Sequence, residues 1–274
     1  MIKSIPVGLS IYIACFGVAS AQTDASFVLD QDWDVSAASN TSKIGARVSR
    51  VQATGLGQIS LSASAFSSSN SDLSYFDGSA SVSRKLLQSE LTETFAELGV
   101  YLSRYPFPQL DLVNSYAMIG VRLNYHDMGS ALFSFRVEED QSSFIGQNHR
   151  LASLDFGVSH NLGLATVTGG TNFSTASYEN GEVDTHVSVR GGLSSGFGQN
   201  SLALDVSIDD ALQSLYVDGA HTRQKVDEFS VALTYLWQVN NKFQVMPRVN
   251  WSDQIGETYS RDSLGIGVEF ASSF

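Results

Sequence analysis

Leu202-Ala203-Leu204-Asp205-Val206-Ser207-Ile208 carries a large apolar side chain at every even position and a small or charged one at every odd position. A period of two sends alternate residues to opposite faces of an extended strand, so this stretch reads as a strand with one apolar and one polar face. The pattern recurs at Ala96, Leu98, Val100, Leu102; Ala117, Ile119, Val121, Leu123, Tyr125; Ala131, Phe133, Phe135, Val137; and Leu154, Phe156, Val158. It continues at Val187, Val189, Gly191, Leu193; Phe229, Val231, Leu233, Tyr235, Trp237; Phe243, Val245, Val249, Trp251; and Leu264, Ile266, Val268, Phe270. Weaker runs at residues 27–35, 44–53, 58–65, 74–84 and 165–173 bring the expected total to fourteen strands, or twelve if the N-terminal runs form a plug or a loop. A helical period is suggested only over residues 85–93.

The segments between these runs alternate in length. Short ones fall at residues 54–57, 126–129, 161–163, 196–200 and 240–242, with 85–93 the exception. Longer ones fall at 67–73, 104–113, 138–149, 176–183, 209–227 and 253–262. Short turns at one end and long loops at the other, on an even number of strands, predict an all-β, antiparallel, up-and-down transmembrane barrel. A secreted β-sandwich also alternates, but it mixes fully buried strands with edges, whereas here almost every strand keeps a polar face of small residues. Aromatic residues also gather near strand ends, with Tyr125, Trp237, Phe243 and Phe270 toward the short turns and Phe173, Phe229 and Trp251 toward the long loops, as interfacial girdles require.

Residues 1–21 have Lys3, an apolar core from Ile5 to Val18 and the small-residue site Ala19-Ser20-Ala21, the layout of a cleaved secretory signal peptide. The barrel is then expected over residues 22–274, with 15 basic and 28 acidic side chains and a formal net charge of −13. Such a charge argues against nucleic acid as a partner. Cys15 is the one cysteine, so the mature chain contains no disulfide. Lipidation at Cys15 is the rival reading of the N-terminus, weakened by Tyr12 where a leucine is expected.

The last strand, Leu264 to Phe270 followed by the terminal Phe274, resembles the assembly signal of bacterial outer-membrane proteins, although Ser272 stands where another apolar residue is usual. The layout of the whole mature chain resembles the porin-like class of outer-membrane barrels. That resemblance implies a Gram-negative outer-membrane location, contact with lipid and lipopolysaccharide, assembly by the barrel assembly machinery with Phe270 and Phe274 as its signal, and transport of small polar solutes. Homo-oligomerisation stays open.

If the apolar set faces lipid, the other parity lines the interior and carries Arg47, Arg122, Arg136, Arg190 and Arg248 with Glu97, Asp155, Asp205, Glu228 and Glu269. Charges at membrane depth require water or a partner. They line either a water-filled channel or a closed barrel held by pairing across the lumen. The first is a porin-like diffusion channel, mildly cation-preferring through its acidic mouth; the second is a non-conducting surface or adhesion scaffold. The external segments hold Glu138-Glu139-Asp140 and Asp209-Asp210, either a solvated surface or hard ligands for Ca²⁺ or Mg²⁺ against lipopolysaccharide.

A barrel lipid hydrolase is the third class. His186-Val187-Ser188, with Asp184 to orient the imidazole, has the His-x-Ser spacing of outer-membrane phospholipases and lipid A deacylases. Those enzymes follow the serine with Asn-Gly; here Val189-Arg190 follows, and the pair points inward by alternation. No enzymatic activity is therefore expected. His126, His149, His160 and His221 lack metal-ligand spacing, so neither metal nor cofactor is expected. Gly169-Gly170 and Gly191-Gly192 are expected to relieve barrel curvature.

Overall fold

A computed structural model describes residues 21–34, 39–54, 57–69, 74–105, 110–125, 128–142, 148–179, 181–217, 220–256 and 260–273. Residues 1–20 of the expected signal segment, and Phe274, lie outside the described residues. The strands are β1 (Ala21–Asp34), β2 (Ser39–Thr54), β3 (Gly57–Ser68), β4 (Tyr75–Gln88), β5 (Thr92–Tyr105), β6 (Leu110–Asn124), β7 (Gly129–Ser142), β8 (His149–Asn161), β9 (Ala165–Tyr178), β10 (Val183–Phe197), β11 (Asn200–Val217), β12 (Ala220–Asn240), β13 (Phe243–Gly256) and β14 (Ser260–Ser273). Each pairs antiparallel with its neighbour in sequence, and β1 also pairs with β14, closing a fourteen-stranded barrel. The weak N-terminal runs are wall strands and not a plug. Closure leaves no edge strand in the barrel wall, and hydrocarbon would penalise an unpaired edge heavily.

Followed once round the wall, the registers accumulate a stagger of about 18 residues. With strands ~4.8 Å apart and a rise of ~3.3 Å per residue, fourteen strands at that stagger tilt by ~41° and enclose a backbone radius of ~14 Å. Each residue then climbs ~2.5 Å along the axis, so most of the wall stands ~32 Å tall.

Crowding tells which face is inside, because a closed wall compresses side chains on its concave surface. Val28, Ser103, Asn114, Ser134, Ser153, Ala176, Asp184, Ala211 and Val226 are buried and all lie on the polar parity; among the described side chains Ala131 is the one buried on the apolar parity. The apolar parity is open to the surroundings, with Leu98, Ile119, Phe133, Val189, Ile208 and Leu233 each well exposed. Outward charges bound this apolar band. Arg104, Glu139, Arg150, Asp210 and Asp253 stand above it, and Arg84 and Lys242 below, leaving a height of ~24 Å against the ~25 Å expected of a membrane barrel; Arg50 on β2 also faces outward, ~8 Å above the inner rim, where its long side chain can reach the lower boundary. Phe229 packs edge-on against Trp251 at 5.7 Å beneath the upper boundary, and Trp237 and Phe243 flank the lower one. Phe270 differs from the girdle expectation: its register with Phe27 and Val245 puts it near mid-band.

Two expectations about the connections are corrected. Residues 85–93 are not helical: β4 runs to Gln88, a register shift lies between Lys85 and Leu87, and only residues 89–91 form the turn. The extra residue of such a bulge breaks the period of two, which imitates a helical spacing. The long external segments are mostly strand. Residues 209–227 form a continuous hairpin in which β11 reaches Val217 and β12 starts at Ala220, rising ~12 Å above the neighbouring rim. Above the lipid band the outward face no longer has to be apolar, so the alternation fades while the backbone ladder continues.

The inner turns follow local chemistry. Asn161 Oδ1 accepts the Gly163 amide at 2.8 Å, and Asn240 Oδ1 accepts the amides of Lys242 and Phe243 at 2.9 and 3.0 Å. Gly129, at φ +149°, enters β7 where a Cβ would lie 1.9 Å from the Ser159 carbonyl oxygen.

Candidate functional site

The polar parity forms the inner wall, and all ten charged residues singled out from the sequence lie on it. Register places seven at nearly one height: Arg47 (β2), Arg136 (β7), Asp155 (β8), Arg190 (β10), Asp205 (β11), Arg248 (β13) and Glu269 (β14) stand within ~3 Å of a level ~15 Å above the inner rim. Arg122 lies near the inner rim, Glu97 between it and the belt, and Glu228 toward the outer mouth. Linear sequence could not show this shared level, because it emerges only when every register is fixed.

These ten residues do not pair with one another. Arg122 approaches Glu93 at 3.7 Å, Arg136 meets Glu138 at 2.7 Å, and Arg248 bonds Asp30 two strands away. Glu97 accepts the Tyr116 hydroxyl at 2.6 Å, Asp155 accepts an Asn172 amide at 2.8 Å, and Gln254 reaches Glu228 at 3.4 Å. Among the described residues Arg47 and Arg190 form no ion pair. Every pairing runs along the wall: within β7 for Arg136–Glu138, between neighbouring strands for most, and across β14 for Arg248–Asp30.

Glycines allow this. A Cβ on Gly267 would stand 1.9 Å from Asp30 Oδ1 and 3.1 Å from Arg248 Nε, so the Asp30–Arg248 pair lies flat across β14 only because that position is bare. Gly170 gives the same room to Arg190, at 3.1 Å from Nε, and Gly192 to Asp205, at 2.8 Å from Oδ1. The inward member of each Gly-Gly pair thus also leaves room for a charged side chain.

Toward the outer mouth the inward face is acidic. Asp30, Asp77, Glu138, Asp140, Asp184, Asp209 and Glu228 share it with Lys43 and Arg261 as the charged bases and with two imidazoles. His149 pairs with Asp140 at 2.8 Å, and His186 with Asp209 at 3.1 Å. Burial alone would raise the Asp140 carboxyl, but the bonds from His149 and Asn114 outweigh it and hold this group below its ordinary value. At the outermost residue of β9, burial and the hydroxyl's bond to Asp184 push the Tyr178 phenol up to about 12. Asp184 is thus occupied by Tyr178, and His186 bonds Asp209 and not Ser188. The serine–histidine–aspartate relay considered from sequence is not assembled. His126 and the side chain of His221 lie outside the described residues, and among the described residues no three His, Cys, Asp or Glu groups are arranged to hold a metal.

The supposed acidic loops divide by parity. Glu138, Asp140 and Asp209 face inward, whereas Glu139, Asp210, Asp227, Asp253 and Asp262 face outward above the apolar band. Lys225 joins two of the latter, at 3.0 Å from Asp210 and 3.1 Å from Asp227.

No family model matches the sequence, and no curated protein matches it. Solved structures do match the fold. The chain is similar to a loop-deletion mutant of OmpT, an outer membrane protein of Vibrio cholerae, with TM-score 0.55, 9% identity, and coverage of 92% of this chain and 99% of that one. It is similar to a mutant of the TodX monoaromatic hydrocarbon channel, with TM-score 0.52, 9% identity and coverage of 93% and 89%. It is also similar to an anion-selective porin from Comamonas acidovorans, with TM-score 0.50, 10% identity and coverage of 93% and 99%. The fold is the one these outer-membrane β-barrels share.

Proposed function

We propose that this barrel is a passive channel through the outer membrane of a Gram-negative cell, admitting small polar solutes and ions with a mild preference for cations. The observation that carries the reading is the glycine-seated inner wall: inside a backbone radius of ~14 Å, the large charged side chains lie along the wall and not across it. All described residues belong to wall strands or to segments flanking them. Cation preference rests on the inward acids above the belt, which outnumber the inward bases there and act where screening by bulk water is incomplete. On this reading residues 1–21 direct export and are cleaved, the barrel assembly machinery inserts the chain, and the outward acids stand among the headgroups of lipid and lipopolysaccharide. No enzymatic role is assigned, because His186 is bonded to Asp209 on the face away from lipid.

Planar-bilayer recording of the refolded protein tests this. Stepwise conductance with a cation-directed reversal potential is expected. A folded, heat-modifiable barrel that conducts at no salt concentration would overturn the channel and favour the surface-scaffold reading.

A further inference from the structure

The inner wall differs around its circumference. Inward aromatic rings gather on four adjacent strands, with Phe66 on β3, Tyr75 on β4, Phe95 and Tyr101 on β5, and Tyr116 on β6. Among the described side chains the one other inward phenyl or phenol ring is Tyr178, at the outer rim of β9, where it lies against the His149 imidazole. Register turns these five into a descent: Tyr75, Phe66, Tyr101 and Tyr116 stand ~27, ~24, ~20 and ~18 Å above the inner rim, and Phe95 ~5 Å, with the Met118 thioether side chain at ~13 Å between the last two.

Bare positions on neighbouring strands make room for the rings. Phe66 lies against Gly45, where a Cβ would come within 2.2 Å of Cδ1, and Phe95 lies against Gly120, where one would come within 2.4 Å of Cζ. Phe66 meets the bare backbone by its Cγ–Cδ1–Cε1 edge and Phe95 by its tip, and both rings are half-buried on the inward side. Tyr75 stacks on Phe66 with ring centroids 5.0 Å apart and planes inclined by 28°. Tyr101 is 38% exposed. Tyr116 lies over Gly99 and carries the Arg136 guanidinium 4.0 Å above its centroid, so at that step the surface offered is a flat cation. Polar groups edge the rings: Asp77, which accepts the Ser103 hydroxyl, and Asn114, which donates to Glu138 and Asp140.

Apolar faces in a water-filled passage carry a hydration cost that a solute with a flat C–H face removes, and aromatic rings favour such stacked contacts. Carboxylates and amides beside the rings bond vicinal hydroxyls in pairs, while the same carboxylates repel anionic aromatic compounds. We propose that the inner face of β3–β6 is a binding track for neutral sugars, along which pyranose rings stack while their hydroxyls exchange bonds with the flanking carboxylates and amides. This inference rests on the channel reading and names its solute class.

The test records the full-length refolded protein in 1 M KCl with maltohexaose, sodium benzoate, or a polyethylene glycol of similar size. Maltohexaose should reduce the current saturably, whereas the glycol should reduce it only in proportion to its concentration. Phe66→Ala and Tyr101→Ala should each raise the half-blocking sugar concentration by about three- to tenfold, while Ser159→Ala, on the opposite wall, should leave it unchanged. The track is overturned if a conducting wild-type protein shows no saturable block, if both aromatic variants block like wild type, or if benzoate saturates at lower concentration than the sugar. If the folded barrel does not conduct, the channel reading fails alone, and calorimetric titration of maltohexaose into the barrel in detergent decides the track. Heat release lost in Tyr101→Ala supports it, and no heat in wild type ends it.

Discussion

An arginine walked along the outward face of β11 measures the membrane band directly. Leu202, Leu204, Val206 and Ile208 share that face and stand ~7, ~12, ~17 and ~22 Å above the inner rim, within a band that runs from ~2 to ~25 Å. Its midplane, at ~13 Å, falls between Leu204 and Val206. Arginine at the midplane of a barrel's lipid face costs ~2–4 kcal/mol and at its edges ~0–1 kcal/mol. Leu204→Arg and Val206→Arg are therefore expected to lose ~2–4 kcal/mol, and Ile208→Arg less than ~1 kcal/mol because its side chain snorkels to the level of Asp210. Leu202→Arg should fall between. Ser188→Arg is the internal control: it faces inward directly opposite Asp209, so its new charge meets water and a carboxylate and should cost close to nothing. Guanidinium titration in phospholipid vesicles, followed by the fluorescence of Trp237 and Trp251, gives each value. A flat profile along β11, or a Ser188→Arg penalty equal to that of Val206→Arg, would refute the assignment of faces and with it the channel.

Neutralising Glu228 and Asp205 together should reduce the cation-directed reversal potential, and neutralising Arg122 and Arg248 should increase it. Both effects should shrink between 0.1 and 1 M salt as the Debye length falls from ~10 to ~3 Å. Gly267→Ala should displace Asp30 and release Arg248 from the wall, lowering single-channel conductance and cation preference together, as bilayer recording would show. The outer rim should loosen at both pH extremes, read by protease nicking of intact barrels. Asp140 has a lowered pKa in the folded state, so its stabilisation is present above the ordinary aspartate value and is lost as pH falls through the lowered one. Tyr178 is raised from 10.0 to about 12, so its stabilisation is complete below pH 10 and is lost as pH rises through about 12. Tyr178→Phe should remove the alkaline step only.

Sequence showed the fold wherever the membrane imposes a rule on every second residue. Strands such as β6, β7 and β11 were legible within the apolar band because Ile119, Phe133 and Val206 must face lipid, and illegible beyond it because Glu139 and Asp210 face headgroups and water. Strand ends therefore read as loops, and the acidic residues on them read as one mouth when half of them point away from it. The bulge after Lys85 defeated the same rule by inserting one residue.

The site was legible to parity and no further. Alternation alone put Arg47, Arg190 and the other eight charges on one face, but height on a barrel depends on every register summed from β1, and no local stretch contains that sum. The glycines show the same limit from the other side. Gly267 has no local reason to be glycine in Leu264-Gly265-Ile266-Gly267-Val268; its reason is Asp30, 237 residues earlier, and Arg248 on the adjoining strand. Where Gly267, Gly170 and Gly192 receive Asp30 with Arg248, Arg190 and Asp205, the wall makes room for large inward side chains by backbone and not by small side chains alone. On the channel reading, conduction, selectivity and the aromatic track depend on pairings between strands, and the variants that separate them are substitutions at the seats as much as at the charges themselves.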